Sequence, residues 1–136
     1  MPSVRTLATG TAIFQLSTDG RSLRFKIAVR NISNVTQAHI HLGRRGVNGP
    51  VVSFLFGPSK FGISVRRGII RGVLKQADLV GPLMGMTLLN LITELKKANV
   101  YVNVHTIQHP NGEIRGQLVT VPKVRRITPS FKEVSV

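Results

Sequence analysis

The chain has 136 residues, 42% of them hydrophobic, no cysteine, and a formal net charge of +14 from 19 Lys and Arg against 5 Asp and Glu. That length suits one domain with a single buried core. The lack of cysteine excludes disulfides, thiolate metal sites and cysteine nucleophiles, and no apolar run approaches the length of a transmembrane helix.

The opening "MPSVRTLATG" has no apolar h-region, so no secretory leader is expected, and the chain is expected in the cytoplasm or associated with a spore or cell surface. Residues 8–16 and 22–30 then read as two strands joined by the turn "STDG". In the second, Leu23, Phe25, Ile27 and Val29 face one way, with Ser22, Arg24, Lys26 and Arg30 largely opposite. "VTQAHIHLG" supplies a third strand, "RRGVNGP" a turn-rich loop and "VVSFLF" a short buried strand. "SVRRGIIRGVL" reads as one further strand region, bulged or bent at its glycines.

From Thr87, "TLLNLITELKK" sets Leu88, Leu91, Ile92 and Leu95 on one helical face. Thr87 is suited to the N-cap, Lys96 and Lys97 to the last turn, and Asn99 to a left-handed closing residue. "VYVNVHT" and "GEIRGQLVTV" are strands joined by "IQHPNG", a strong turn signal. The sum is an all-β protein: an antiparallel β-sandwich of Greek-key type with one short inserted helix near residues 87–98.

The histidines carry the chemistry. His39 and His41 share one strand face while Ala38, Ile40 and Leu42 share the other, and His105 lies with Tyr101 and Asn103 on the polar face of a later strand. If the two strands flank each other, three imidazoles converge, a donor set suited to copper or zinc. Glu113 is the expected fourth group or orienter, because the Pro110-Asn111-Gly112 turn returns it beside "VNVHT". The alternative is a set of hydrogen-bonded strand histidines that organise loops, with Glu113 paired to Arg115. His109, in the turn, is expected at the surface.

No catalytic constellation can be named. There is no nucleophile-elbow pattern, five carboxylates leave little for paired acid–base work, and the glycine-rich turn enters a strand rather than a phosphate-cradling helix. The charge favours an acidic polymer or acidic protein as partner, with Arg44, Arg45, Arg66 and Arg67 as candidate polyanion contacts. Six Phe and one Tyr offer no stacking platform, so nucleic acid is not expected as a specific partner.

Two long segments, "AHIHLGRRGVNGPVV" and "YVNVHTIQHPNGEIRGQL", in that order with "ADLVGPL" and the helix between them, closely resemble the CHRD (chordin-type) domain family over roughly residues 3–120. The composition resembles that of stand-alone bacterial members, for which the resemblance implies a β-sandwich, superoxide-dismutase-like or immunoglobulin-like, and no established activity. The chain departs from the family in two places. The usual first strand leading into a Glu-Val-Pro-Pro-Val-like segment is missing, and a basic extension, residues 121–136, follows a domain spanning 1–120.

A bared edge recruits strands, so Phe131, Val134 and Val136 of the extension are candidate self-assembly residues. They would pair with their own domain or with a neighbour's edge, giving a homo-oligomer or filament. The reading is thus a non-enzymatic CHRD-domain binding or structural protein, surface-associated and self-assembling by strand exchange, with a histidine metal site at His39, His41, His105 and Glu113. "HIH" followed by glycine is also similar to the copper-ligand strand of copper/zinc superoxide dismutases, which gives one alternative, a copper-dependent redox protein. The other is a basic polyanion-binding protein.

Overall fold

In the computed structural model, residues 4–57, 64–66, 68–121, 126–127 and 130–131 are described, with side chains for those in 4–57 and 68–120. Alternation builds the first hairpin. In β1 (Thr9–Leu16) Ala12 and Phe14 are fully buried, and in β2 (Ser22–Arg30) so are Leu23, Phe25 and Ile27, while Arg24, Lys26 and Arg30 are exposed. Phe14 lies directly opposite Phe25, their ring centroids 6.1 Å apart. The turn closes on itself, with Ser17 Oγ donating to Asp19 Oδ1 at 2.6 Å and accepting from the Ser22 N–H at 3.0 Å.

β3 (Val35–Leu42) pairs with β4 (Val51–Phe56) on one side and with β7 (Val100–Thr106) on the other, and β8 (Ile114–Gln117) completes a four-stranded sheet in the order β4-β3-β7-β8. The larger sheet runs from β5 (Ser64–Arg66) through β6 (Ile69–Lys75) and β2 to β1 and continues through the short β9 (Thr120–Val121), β10 (Arg126–Ile127) and β11 (Ser130–Phe131). All the strand pairings in both sheets are antiparallel. The chain crosses between the sheets after β2, β4, β6 and β8. One core cluster unites Phe14, Phe25 and Ile27 of the larger sheet with Ile40, Val52, Leu55, Val102, Val104 and Ile114 of the smaller. Each large side chain fully buried in this way contributes about 1.5–3 kcal/mol. The all-β antiparallel sandwich expected from the alternation is the fold observed.

Two local expectations are corrected. The region after residue 63 is two strands rather than one bent strand: β5 (Ser64–Arg66) and β6 (Ile69–Lys75) pair as a hairpin around Gly68. Gly68 takes φ +76° and lies so close to β2 that a Cβ would stand 2.8 Å from the Val29 carbonyl oxygen, so it serves as a turn and not as a bulge. Two 3-10 turns, Gln76–Asp78 and Gly81–Leu83, lead to helix α1 (Leu88–Lys96), whose Leu88, Leu91 and Leu95 join the core. Thr87 caps it: its Oγ1 accepts from the Asn90 N–H, and its own N–H donates to Asn90 Oδ1 at 3.0 Å. The left-handed closing residue is Ala98, φ +58°, one place before the expected Asn99. Asn99 is drawn instead into a side-chain bond, Nδ2 donating to Glu94 Oε2 at 2.8 Å.

The extension does not stand away from the domain. β10 and β11 both pair with β1 of the same chain, Phe14 opposite Ile127 and Gly10 opposite Phe131, so the edge of β1 is covered from within. Val134 and Val136 lie outside the described residues, as does Arg67. No helix among the described residues is long and apolar enough to cross a membrane.

Candidate metal centre

The outer face of the four-stranded sheet gathers the histidines. Register sets His39 opposite Asn103, His41 opposite Tyr101 and Gln37 opposite His105, and on the far side Asn103 opposite Arg115. Residues opposed across antiparallel strands project to the same side, so the imidazoles converge while Ala38, Ile40, Val102 and Val104 enter the core. Ring centroids of His39 and His105 are 4.8 Å apart and those of His39 and His41 5.6 Å. One ring nitrogen from each of the three histidines lies within 4.8 Å of the others.

Each imidazole is held by its far side. His41 Nδ1 lies 2.9 Å from the Gly49 carbonyl oxygen and His105 Nδ1 2.7 Å from that of Pro110. A carbonyl only accepts, so both Nδ1 atoms carry the proton and both Nε2 atoms keep a lone pair. His39 Nε2 donates in the same way to Gln37 Oε1 at 2.8 Å, which leaves Nδ1 as its acceptor. His39 Nδ1 and His105 Nε2 are buried and have no hydrogen-bond partner, while His41 Nε2 lies 3.1 Å from the Asn103 amide. The atom of that amide nearest to it is Oδ1, so an unprotonated Nε2 there requires a half-turn of the amide that exchanges its oxygen and nitrogen.

The face is covered well enough to leave His39 at 5% and His41 at 8% exposure. Burial, then repulsion from His105 and from His41, pushes His39 down to about 4. Burial also lowers His41, against the opposing pull of its bonds to Gly49 and Asn103. Both rings are therefore neutral at pH 7, as ligands must be.

Aromatic and cationic groups wall the cluster. Phe54 of β4 meets the His39 ring edge to face at 4.9 Å and an interplanar angle of 88°. The Tyr101 ring lies between two neighbours, His41 of β3 stacked at 4.7 Å and the Arg115 guanidinium of β8 at 3.4 Å. Gly49 is required by packing, since a Cβ there would stand 1.6 Å from the Leu42 carbonyl oxygen. That tight fold-back of the loop delivers the carbonyl that orients His41.

Glu113 is not part of this group. Its Oε2 accepts from Thr6 Oγ1 at 2.6 Å and its Oε1 from Thr106 Oγ1 at 2.8 Å, so the carboxylate ties the N-terminal segment to the end of β7. The Glu113–Arg115 ion pair is absent as well. Arg115 donates instead to the Arg44 carbonyl at 2.8 Å and to Asn48 Oδ1 at 3.4 Å. His109 is half-buried, its Nε2 4.0 Å from Glu113 Oε1.

Arg44 and Arg45 are exposed in the β3–β4 loop and Arg66 occupies β5 in the other sheet, while Arg67 lies outside the described residues. The site also includes Gln37, Asn103 and the Gly49 and Pro110 carbonyls. Gln37 and Asn103 were signalled by their parity with His39 and His105. The carbonyls carry no signal in the sequence.

Three imidazoles whose second nitrogens are tied to oxygen form a donor set that could hold a metal ion. Tetrahedral ligands about 2 Å from a metal stand about 3.3 Å apart, so side-chain closure of an ångström or so would seat an ion. No curated protein and no solved structure matches the chain. The family model of the CHRD domain matches residues 1–118, nearly the whole sandwich including every histidine, and the chain belongs to the CHRD domain family.

Proposed function

We propose that this CHRD domain is a non-enzymatic binding module that holds a copper or zinc ion through His39, His41 and His105. One observation carries the reading: three imidazoles meet on one sheet face with their outer nitrogens tied to oxygens, and His39 Nδ1 and His105 Nε2 are left buried without a partner. A buried acceptor left unsatisfied costs about 1–3 kcal/mol, and a bound cation removes that cost at both atoms. The CHRD family is not a known enzyme family, and the cluster has neither a carboxylate base nor a nucleophile beside it among the described residues.

Elemental mass spectrometry of untagged protein, loaded with copper or zinc and desalted, tests the proposal beside a His39→Ala/His41→Ala variant. Near-stoichiometric metal that is lost in the variant is the expected result. No retained metal in either protein after loading with both ions would overturn it and leave the histidines architectural.

A further inference from the structure

The opposite outer face has a different chemistry. Arg24, Lys26 and Arg30 of β2 and Arg71 and Lys75 of β6 are all exposed, and register sets Lys26 opposite Arg71, Arg24 opposite Val73 and Ser22 opposite Lys75. Opposed residues share a side, so five cations project from one face of the larger sheet. On β1 the same rows continue with neutral Ile13 and Gln15.

The acidic residues hold other positions, and of the described ones Asp78 alone comes to the end of the face, its Oδ2 accepting from the Lys75 N–H at 2.7 Å. Asp19 is in the β1–β2 turn, Asp78 in the 3-10 turn that follows β6, Glu94 on α1 and Glu113 beneath Thr6 and Thr106, with Glu133 outside the described residues. No carboxylate occupies a strand position on this face among the described residues. Like charges directly opposed weaken a sheet, yet Lys26 and Arg71 are placed so.

The spacing of these charges is regular, about 6.6 Å between alternate residues along a strand and about 5 Å between strands. Three of the five are arginines, whose planar forks suit sulfate and carboxylate oxygens. Among the described residues the face has no exposed aromatic to stack a base and no helix to enter a groove. Among the described side chains its one well-exposed large apolar group is Val73 at 41%, too little to insert in a bilayer.

We propose that Arg24, Lys26, Arg30, Arg71 and Lys75 form a binding face for a linear acidic polysaccharide, separate from the imidazole cluster and independent of metal. Heparin titrated into the full chain at several salt concentrations is the probe. In Arg24→Gln/Lys26→Gln/Arg71→Gln, affinity falls by about 10-fold or more at 0.1 M salt, and the slope of log K against log salt shrinks by about two to three. The charge-matched control Arg44→Gln/Arg45→Gln/Lys97→Gln loses no more than about 3-fold. Each face substitution made singly weakens binding by about 2- to 3-fold, which decides the matter if the triple variant does not fold. Equal losses in the two triple variants would show a diffuse field and overturn the site. Tighter binding to duplex DNA or to phosphatidylserine vesicles than to heparin would overturn the partner class.

Discussion

The two outer faces of this sandwich are built by the same period-two alternation and end in opposite states. On the smaller sheet His39, His41, Asn103 and Arg115 are between 3% and 8% exposed, while on the larger sheet Arg24, Lys26 and Arg71 stand in water. The difference lies in what covers them. The β3–β4 loop and the 107–112 turn fold over the histidine face and supply the Gly49, Arg44 and Pro110 carbonyls that polar groups need once they leave solvent. The basic face has no such cover among the described residues, so its cations stay hydrated and take their counter-ions from solution. A covered polar face favours a small, desolvated ligand, and an open one a large charged partner.

The largest effect that would break this contrast is on metal affinity. His105→Ala is expected to weaken copper or zinc binding by about 100-fold or more by calorimetry, and Glu113→Gln by less than about 3-fold. Comparable losses would return Glu113 to the site. The next effect is on acid stability. His39 titrates near 4 in the folded chain against 6.5 as its ordinary value. Between those values the unfolded chain binds a proton that the folded chain refuses, so stability is full above about pH 6.5, falls as pH drops, and levels off below about 4. The loss is at most roughly 3 kcal/mol, and His39→Phe should flatten it in denaturant titrations at pH 7, 5 and 4. An unchanged slope in that variant would mean that the burial of His39 is not what limits the fold in acid.

A chain ending at Thr120 is expected to melt lower by a few degrees, about 1 kcal/mol, and to self-associate with rising concentration in light scattering, since β1 loses its cover. A monomer of unchanged stability would show that the β10 and β11 pairings contribute nothing. The smallest effect sharpens the basic face. Lys26→Glu turns a repulsive cross-strand pair with Arg71 into an attractive one, for a gain of about 0.5 kcal/mol in chemical denaturation.

Much of this was legible along the chain. The alternation in "SLRFKIAVR" and "VYVNVHT" gave both the strands and their buried sides, and the parity of "HIH" placed two imidazoles on one surface. Misreadings fell where a distant partner intervened. Glu113 follows the turn and was assigned to the histidines, but Thr6, at the other end of the chain, shares its carboxylate with Thr106. Asn99 has the composition of a left-handed residue, yet Glu94 claims its side chain and Ala98 takes the strained position at a cost of about 1 kcal/mol. Alternation alone set Arg24, Lys26 and Arg30 on one side of their strand, but Arg71 and Lys75 are far away in sequence and join them only through strand pairing.

The sequence by itself determined the long strands such as β2 and β7, their inward faces, the capped helix and the pair His39–His41, because each depends on spacing within a few residues. Only the tertiary structure decided that β7 lies beside β3, bringing His105 to that pair, and that Gly49 and Pro110 carbonyls fix which nitrogens are free. Strand order and carbonyl placement depend on contacts between residues remote in the chain, which local pattern does not encode.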